Sequence, residues 1–597
     1  MYRILRFTLP SLVLLLSSCN NRTSTLISKT GELSSKPNVI LIMTDDQGWG
    51  DLSSNGNTNL NTPNIDALAK NGVSFENFYV QPVCSPTRAE LLTGRHYTRL
   101  GVYATSAGGE RLNLGETTIA DILKKEGYHT AAYGKWHNGM QPPYHPNARG
   151  FDDFYGFASG HWGNYFSPML EHNGKIVKGD GFLTDDLTNK GLSFITKHAN
   201  EPFFLFLPFN TPHSPMQVPD KYWNRFKDRS LKRIYQGTEI EEVDFTKAAL
   251  AMVVNIDDNV GRIQSKLKEL HLEENTIIIF MSDNGPNNWR WNGGMRGRKG
   301  SPDEGGVRTP FFIQWKNTLP AGETIQEIAS AIDILPTIKA LTNSKSKTNR
   351  SLDGKNLTPL LFKTQEQWKS RFVYNRWGEK TTVRSQKYRL DQKNRLYDME
   401  NDRAQQRNLS GQLRELRDSL LTVKTKWLNE TLPISRNQDN RPFTLGHPDF
   451  KYTQLPARDG IPHGNIKRSN HFPNDTFFTN WISENDSITW DVEILADGKF
   501  EVDLYYTLAS TTKGVAVELT NGESTLMTRI TETHDPPLTG MKNDRVLRGE
   551  SYVKDFKRKQ LGELLLKKGR RILTLKAPLI SGASAMDVRL LNFKRIK

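Results

Sequence analysis

The sequence predicts an α/β protein in three parts: a three-layer α/β unit around a mostly parallel sheet, a small α+β subdomain, and an appended β-sandwich. Three observations carry this. From about Pro37, short apolar runs alternate with helical patterns, the arrangement that builds strands covered by helices on both faces. From about Arg371 the runs shorten and are followed by a charged helix. From about Phe443, strands of alternating polarity are separated by Pro-, Gly- and Asn-rich stretches, as in a sandwich.

In chain order, Arg3 and Arg6 precede the apolar stretch Leu12 to Leu16 and small Ser17-Ser18. Residues 1–18 read as a signal peptide, because the apolar stretch falls short of the ~20 residues that span a bilayer. Leu16-Ser17-Ser18-Cys19 resembles the box of bacterial lipoproteins, which implies cleavage before Cys19 and a lipid on its sulfur. The alternative is ordinary secretion with a cysteine near the cut. Asn20-Asn21-Arg22 carries no acidic run, so the expected location is periplasmic, lipid-anchored to a bacterial membrane, with the cell surface as the alternative. Residues 19–36 form a polar linker.

The α/β unit is expected over 37–365. Val39 to Met43, Phe203 to Leu207 and Ile277 to Met281 are continuous apolar runs, the mark of strands buried on both faces. Thr117 to Glu126 has helical spacing and stops at Gly127. Asp244 to Leu270 reads as a long helix with Leu250, Val253, Val254 and Ile256 inward. The α+β subdomain is expected over 366–435, with strands at Phe372–Tyr374, Thr382–Arg384 and Tyr388–Leu390 and a helix from Arg414 to Leu428. The sandwich is expected over 436–597, with strands such as Ile488–Glu493 and Phe500–Tyr506.

Composition narrows the function classes. The 597 residues include 80 Lys and Arg against 65 Asp and Glu, a formal charge of +15, with 36% hydrophobic and 24% charged residues. Collagen-like, disordered and disulfide-stapled classes are excluded. The positive balance favours a polyanionic partner: nucleic acid, an anionic membrane, or a sulfated or phosphorylated polymer. No nucleic-acid motif accompanies the charge, so nucleic acid is not expected. The two cysteines are Cys19 and Cys84; acylation of Cys19 leaves Cys84 without a disulfide partner.

Chemistry-bearing residues follow the strands, where open α/β sheets bind ligands. Asp45-Asp46 follow the first apolar run, Lys135 and His137 end Thr130 to Tyr133, His213 follows Phe203 to Phe209, and Asp283-Asn284 follow Ile277 to Met281. Singly, each acidic pair reads as a turn or a helix cap. Together, three carboxylates and an amide oxygen make a hard oxygen set suited to Ca²⁺ or Mg²⁺. Cys84 opens Cys84-Ser85-Pro86-Thr87-Arg88, and Pro86 suits the first turn of a helix. The sulfur would then stand at a positive helix end.

Cys84-Ser85-Pro86-Thr87-Arg88-Ala89-Glu90-Leu91-Leu92-Thr93-Gly94-Arg95 closely resembles the signature of type I, formylglycine-dependent sulfatases. Pro37-Asn38-Val39 through Asp45-Asp46, Thr62-Pro63-Asn64-Ile65-Asp66, Gly134-Lys135-Trp136-His137, Asp283-Asn284-Gly285, and Lys299-Gly300 with Glu304-Gly305-Gly306 match in family order. The resemblance runs from about Pro37 to Leu409 and implies an alkaline-phosphatase-like three-layer α/β/α fold. It implies that a formylglycine-generating maturation enzyme oxidises Cys84 to formylglycine (3-oxoalanine), whose hydrate is the nucleophile. Asp45, Asp46, Asp283, Asn284 and the modified residue 84 would bind one Ca²⁺. Arg88 would hold the hydrate, Lys135, His213 and Lys299 would grip the sulfate, and His137 would be the base of the second step. One departure is Asn138, where the family commonly has Leu.

These roles agree with the reaction. A sulfate monoester resists attack because its oxygens are negative, so a metal and cations must neutralise them and align sulfur for in-line displacement. The departing alcohol takes a proton from His213 or Lys299. Loops between the matched segments carry His161, Trp162, Arg290, Trp291, Arg296 and Arg298, and aromatics with arginines suit a sugar face flanked by anionic groups. The expected substrate is a sulfated polysaccharide or its oligosaccharides, either an algal glycan such as ulvan or carrageenan or a glycosaminoglycan. Two rivals stand beside it: a phosphate or phosphonate monoester hydrolase of the same superfamily, and a non-catalytic glycan-binding lipoprotein.

Overall fold

The computed structural model describes residues 36–364, 368–432 and 440–597. The leader expected at 1–18, Cys19, the linker up to residue 35 and the two expected boundaries near 365 and 435 lie outside them. No helix among the described residues is long and apolar enough to cross a membrane.

A ten-stranded mixed sheet organises the first part. Its strands are β1 (Asn38–Thr44), β2 (Val73–Phe75), β3 (His129–Lys135), β4 (Asp153–Phe157), β5 (Met169–His172), β6 (Lys175–Lys178), β7 (Phe203–Pro208), β8 (Thr276–Ser282), β9 (Phe311–Trp315) and β10 (Glu323–Ile325). Their spatial order is β10-β2-β9-β8-β1-β7-β3-β4-β5-β6. The run β8-β1-β7-β3-β4 is parallel. β9 pairs antiparallel with β8 and β2, and β5 and β6 add an antiparallel hairpin at the other edge.

β1 shows why these residues choose a central strand. All seven are buried, and successive side chains enter opposite cores. Ile40 and Ile42 join a cluster with Leu187, Phe194, Leu250 and Ile256, whereas Val39, Leu41 and Met43 join one with Leu92, Ile119, Ile122 and Ile334. A strand feeding two cores reads as one continuous apolar run. Helices α1 (Cys84–Thr93), α2 (Ile119–Lys125) and α5 (Ile334–Leu341) cover the second face; α3 (Leu183–Lys197) and α4 (Val243–Glu269) cover the first. The sheet and its two helical layers make the expected three-layer α/β unit. α2 begins with a reciprocal capping box between Thr118 and Asp121, and Gly127 (φ 84°) follows its end.

A four-stranded antiparallel sheet, β11 (Val373–Trp377), β12 (Lys380–Arg384), β13 (Tyr388–Leu390) and β14 (Leu396–Asp398), packs with α6 (Arg414–Thr431) around Val383, Leu390, Leu396 and Leu420. Two six-stranded sheets then form the sandwich. In Ser487–Ile494, Ile488, Trp490, Val492 and Ile494 point inward while their neighbours stay partly exposed. Gly498–Thr507 of the facing sheet supplies Phe500, Val502, Leu504 and Tyr506 to the same core.

Candidate active site

Because β8, β1, β7 and β3 are parallel neighbours, their carboxyl ends share one edge, and the polar groups after them converge there. Asp45 and Asp46 leave β1, Lys135 ends β3, His213 follows β7, and Asp283 with Asn284 leaves β8. Asp46 sits at φ 65°, a left-handed turn that aspartate tolerates better than most residues. Its backbone N–H donates to Asp283 Oδ1 at 3.1 Å. The two acidic turns therefore brace each other.

The acidic groups are buried and unequal. Lys135 Nζ lies 2.6 Å from Asp45 Oδ2, while Asp45 Oδ1 has no hydrogen-bond partner. Lys299 Nζ reaches both oxygens of Asp46 at 2.7 and 2.8 Å, and Asn284 donates to Asp46 Oδ1 at 2.8 Å. Asn284 Oδ1 is likewise unpartnered. Arg88 donates from Nε (3.1 Å) and Nη2 (2.9 Å) to Asp283 Oδ2 and from Nη1 to the Lys135 carbonyl at 2.6 Å. Burial, only partly offset by Lys135, pushes the Asp45 carboxyl up to about 6. Burial and the neighbouring Asp45 push Asp283 to about 6. Burial would also raise Asp46, but Lys299, His213 and Lys135 together outweigh it and hold it well below the carboxylate range.

Cys84 is a free, buried cysteine at the first position of α1. Every residue of that helix is buried, so the sulfur is fixed in place. Polar atoms of Asp45, Cys84 and Asp283 all lie within 4.8 Å of one another. Arg88, one turn along, projects on the same side of the helix. Asn138, the departure from the family pattern, donates to the Ser85 carbonyl at 3.2 Å, so it steadies this helix start.

The two histidines differ in tautomer. His213 Nδ1 lies 2.6 Å from the Ser214 carbonyl, and a carbonyl can only accept, so Nδ1 carries the proton. Its Nε2 faces Asp46 Oδ2 at 3.6 Å. Burial and Lys299, opposed by Asp46, push His213 down to about 4. His137 is reversed: Nε2 donates to the Thr105 carbonyl at 2.8 Å, leaving a buried Nδ1 lone pair without a partner. Burial and Lys135 hold His137 well below its ordinary value, so its ring is neutral at neutral pH.

Gly160 lets the His137 ring stand where it does. A Cβ there would meet His137 Nε2 at 2.1 Å, although the backbone of Gly160 is not in the left-handed region. Gly160→Ala should therefore displace the ring and lower kcat/KM by roughly a hundredfold, measured by steady-state sulfate release. A variant as active as wild type would mean that the ring position does not matter.

The loop residues expected to touch substrate divide. His161 enters the site: its ring lies 5.6 Å from that of His213, and neither of its nitrogens has a partner. Trp162 turns inward, stacked on Phe157 at 5.0 Å with Arg589 above it at 5.3 Å, and it belongs to the core. Arg290 is buried and donates to Asp51, Asn288 and the Asp46 carbonyl. A guanidinium so engaged braces the acidic turn. Arg296 pairs with Asp303 and Asp391 and lies over Tyr397 at 4.9 Å, tying the Lys299 loop to the α+β subdomain. Arg389 strengthens this tie through Glu304 Oε2 (2.9 Å) and the Pro302 carbonyl (2.6 Å). Arg298 donates to the Asn287 carbonyl and stacks on Trp289 at 5.1 Å, and Trp291 lies under Arg233.

Sequence reasoning missed the share taken by the sandwich. Arg458 pairs with buried Glu110 at 2.6 Å, and Asn474 donates to Thr105 O at 3.2 Å, the same carbonyl that anchors His137. Glu550 accepts from Ser214, beside His213. Nothing in the sequence near these residues signals a site, because they belong to the sandwich, far from the matched segments.

The sulfatase family model matches residues 37–344, more than half of the chain. N-acetylgalactosamine-6-sulfatase of mouse (Mus musculus) is 34% identical over 374 residues, covering 57% of this chain and 68% of that protein. The human (Homo sapiens) protein of the same name is 32% identical, with 54% and 66% covered. The crystal structure of Ps i-CgsB in complex with k-i-k-neocarrahexaose superposes with a TM-score of 0.62 at 33% identity, covering 68% of this chain and 95% of that one. The phosphonate monoester hydrolase of Agrobacterium radiobacter shares the fold, with a TM-score of 0.51 at 20% identity, covering 66% of this chain and 95% of that one.

Proposed function

We propose that this chain, which belongs to the sulfatase family and is a sulfuric ester hydrolase, works with residue 84 as formylglycine and one Ca²⁺ ion, and takes sulfate from a glycan. The carrying observation is the buried cluster of Asp45, Asp46, Asp283 and Asn284 against Cys84, crossed by Arg88, Lys135 and Lys299. The residues fit a hard cation. Asp45 Oδ1 and Asn284 Oδ1 are buried oxygens with no partner, which are costly without a ligand. Burial, with the crowding of Asp45, Asp46 and Asp283 added to it, raises the first and last, a conflict that a divalent ion relieves.

Asp45, Asp46, Asp283 and Asn284 would hold the Ca²⁺, which would supply positive charge to the sulfate oxygens, and the hydrated aldehyde at residue 84 would supply the attacking hydroxyl and a second hydroxyl through which the aldehyde is restored. The chain's own residues do the rest. Arg88 orients residue 84 from the next helical turn. Lys135 and Lys299 add fixed positive charge in a water-poor site, where it acts most strongly on developing anions. Lys299, which Asp46 keeps charged against the effect of burial, hands a proton to the leaving alcohol; His213, whose proton sits on Nδ1 against the Ser214 carbonyl, offers the site a bare Nε2 and serves to bind rather than to donate. His137, neutral and with Nδ1 free, takes a proton at residue 84.

The substrate class is a sulfated polysaccharide or its oligosaccharides, of carrageenan or N-acetylgalactosamine type. Support comes from the names of the 34%-identical relative and of the glycan-bound structure at 33% identity, and from the net charge of +15. A maturation enzyme and a periplasm-facing lipid anchor on Cys19 complete the proposal, resting on the Cys84 motif and on residues 12–19. The matured full-length chain should hydrolyse a sulfate ester with kcat/KM roughly a hundredfold or more above the phosphate and phosphonate esters of the same alcohol. A preference for the phosphorus esters would reject this reading in favour of the first rival.

A further inference from the structure

The sandwich does more than sit behind the catalytic unit. The loop carrying His161 is clamped at both ends by sandwich residues: Ser159 donates to Asn474 Oδ1 at 3.2 Å, Gly163 N donates to Asp475, and Arg548 donates to the Gly163 carbonyl. Beside it, the segment Gly549–Ser551 is fixed to the sandwich through Asn470 (2.9 Å) and Ser469 (2.7 Å). It carries Glu550 to the Ser214 hydroxyl. Polar atoms of His161, His213 and Glu550 all lie within 4.8 Å of one another. His213 is in turn 3.6 Å from Asp46 in the acidic cluster.

We propose that His161 and Glu550 form a hydroxyl-recognising subsite beside the sulfate pocket, one that takes a neutral sugar ring and excludes a second anionic group next to the scissile ester. This rests on the reading of the chain as a glycan sulfatase. His161 is 6% exposed and both its nitrogens lack partners; a neutral imidazole there offers one donor and one acceptor, the pair that a sugar hydroxyl satisfies. Buried polar atoms left unpaired are costly, so the subsite rejects a ring that lacks the hydroxyl. When ionised, Glu550 has acceptors and no donor, and it is the carboxylate that stands with His161 and His213. A carboxylate accepts from a hydroxyl and repels a sulfate or uronate placed against it. The cationic groups bind the ester that is cleaved, and Glu550 sets what stands next to it.

The test uses matured full-length protein, 4-nitrophenyl sulfate as an ester without sugar hydroxyls, monosulfated galactose and N-acetylgalactosamine, and the matching disulfates esterified at the neighbouring hydroxyl. Wild type should prefer monosulfated sugars over both the disulfates and the aryl ester. Glu550→Gln should reduce the monosulfate-to-disulfate ratio of kcat/KM by roughly tenfold, and His161→Phe should reduce the sugar-to-aryl ratio by a similar factor, chiefly through KM. Equal losses on all esters in both variants would make these residues supports of His213 and overturn the subsite. So would a wild type that hydrolyses disulfates or the aryl ester as well as the monosulfated sugars. Should these single rings be too short, sulfated carrageenan oligosaccharides take their place in the same ratios, and a wild type that releases sulfate from neither set would overturn the glycan-sulfatase reading as well.

Discussion

Cys84→Ala lowers sulfate release by about 10⁵-fold or more and leaves the fold in place. The side chain is small and stands at the start of a helix whose other residues are all buried, so its removal costs about 1 kcal/mol of stability. What is lost is the group toward which everything else is arranged. Arg88 and Lys135 neutralise Asp283 and Asp45, which lie within 4.8 Å of the sulfur, and none of these can attack sulfur. Sulfate release by the matured variant and wild type, with thermal midpoints measured beside it, checks both halves of the statement. A variant that keeps activity would remove the nucleophile from the account.

Chelation of calcium is the second large effect. With the proposed ion removed, the rate should fall by roughly three orders of magnitude, since the positive charge proposed to meet the sulfate oxygens goes with it. Calcium should also raise the thermal midpoint, by about 2.7 kcal/mol of stabilisation at about 100 times its Kd. The pH dependence has a definite sign. Asp45 and Asp283 are raised from 3.8 to about 6, so between those values the folded chain holds more protons than the unfolded one. Ion-free stability therefore falls as pH rises through that window. Protons compete with the metal for the same oxygens, so calcium binds weakly below about pH 6 and more strongly above it. Asp46, held low by Lys299 and His213 against burial, stays charged throughout. Calorimetry should show a larger calcium-induced shift near pH 7.5 than near pH 5; an equal shift at both would place the ion elsewhere.

The fold was legible where burial is two-sided. β1, β7 and β8 feed cores on both faces, so their sequences are unbroken apolar runs that resemble nothing else. The long helix expected from Asp244 to Leu270 occupies Val243–Glu269, because its inward stripe of Leu250, Val253 and Ile256 is regular. The antiparallel edges of the large sheet were not legible, since short strands such as Lys175–Lys178 are only partly buried and carry no apolar run. Residue chemistry at strand ends located the acidic cluster because parallel strands deliver their ends to one edge. The same reasoning did not foresee the buried contacts of Arg290 and Trp162. A guanidinium or an indole in a loop serves a buried ion pair or a core as readily as a sugar, and only Asp51 for the one and Arg589 for the other, both distant in sequence, decide which. Glu550 reaches the site through the docking of a separate sandwich, an arrangement that no local pattern encodes.

The proposed mechanism stands on conversion of the Cys84 thiol to an aldehyde. Mass spectrometry of the tryptic peptide Asn71–Arg88, from chain co-expressed with a competent maturation enzyme, tests it most directly. The expected result is a peptide lighter by the difference between a thiol-bearing methylene and an aldehyde, in proportion to the specific activity of the preparation. An unmodified cysteine in a preparation that hydrolyses sulfate esters at full rate would contradict it.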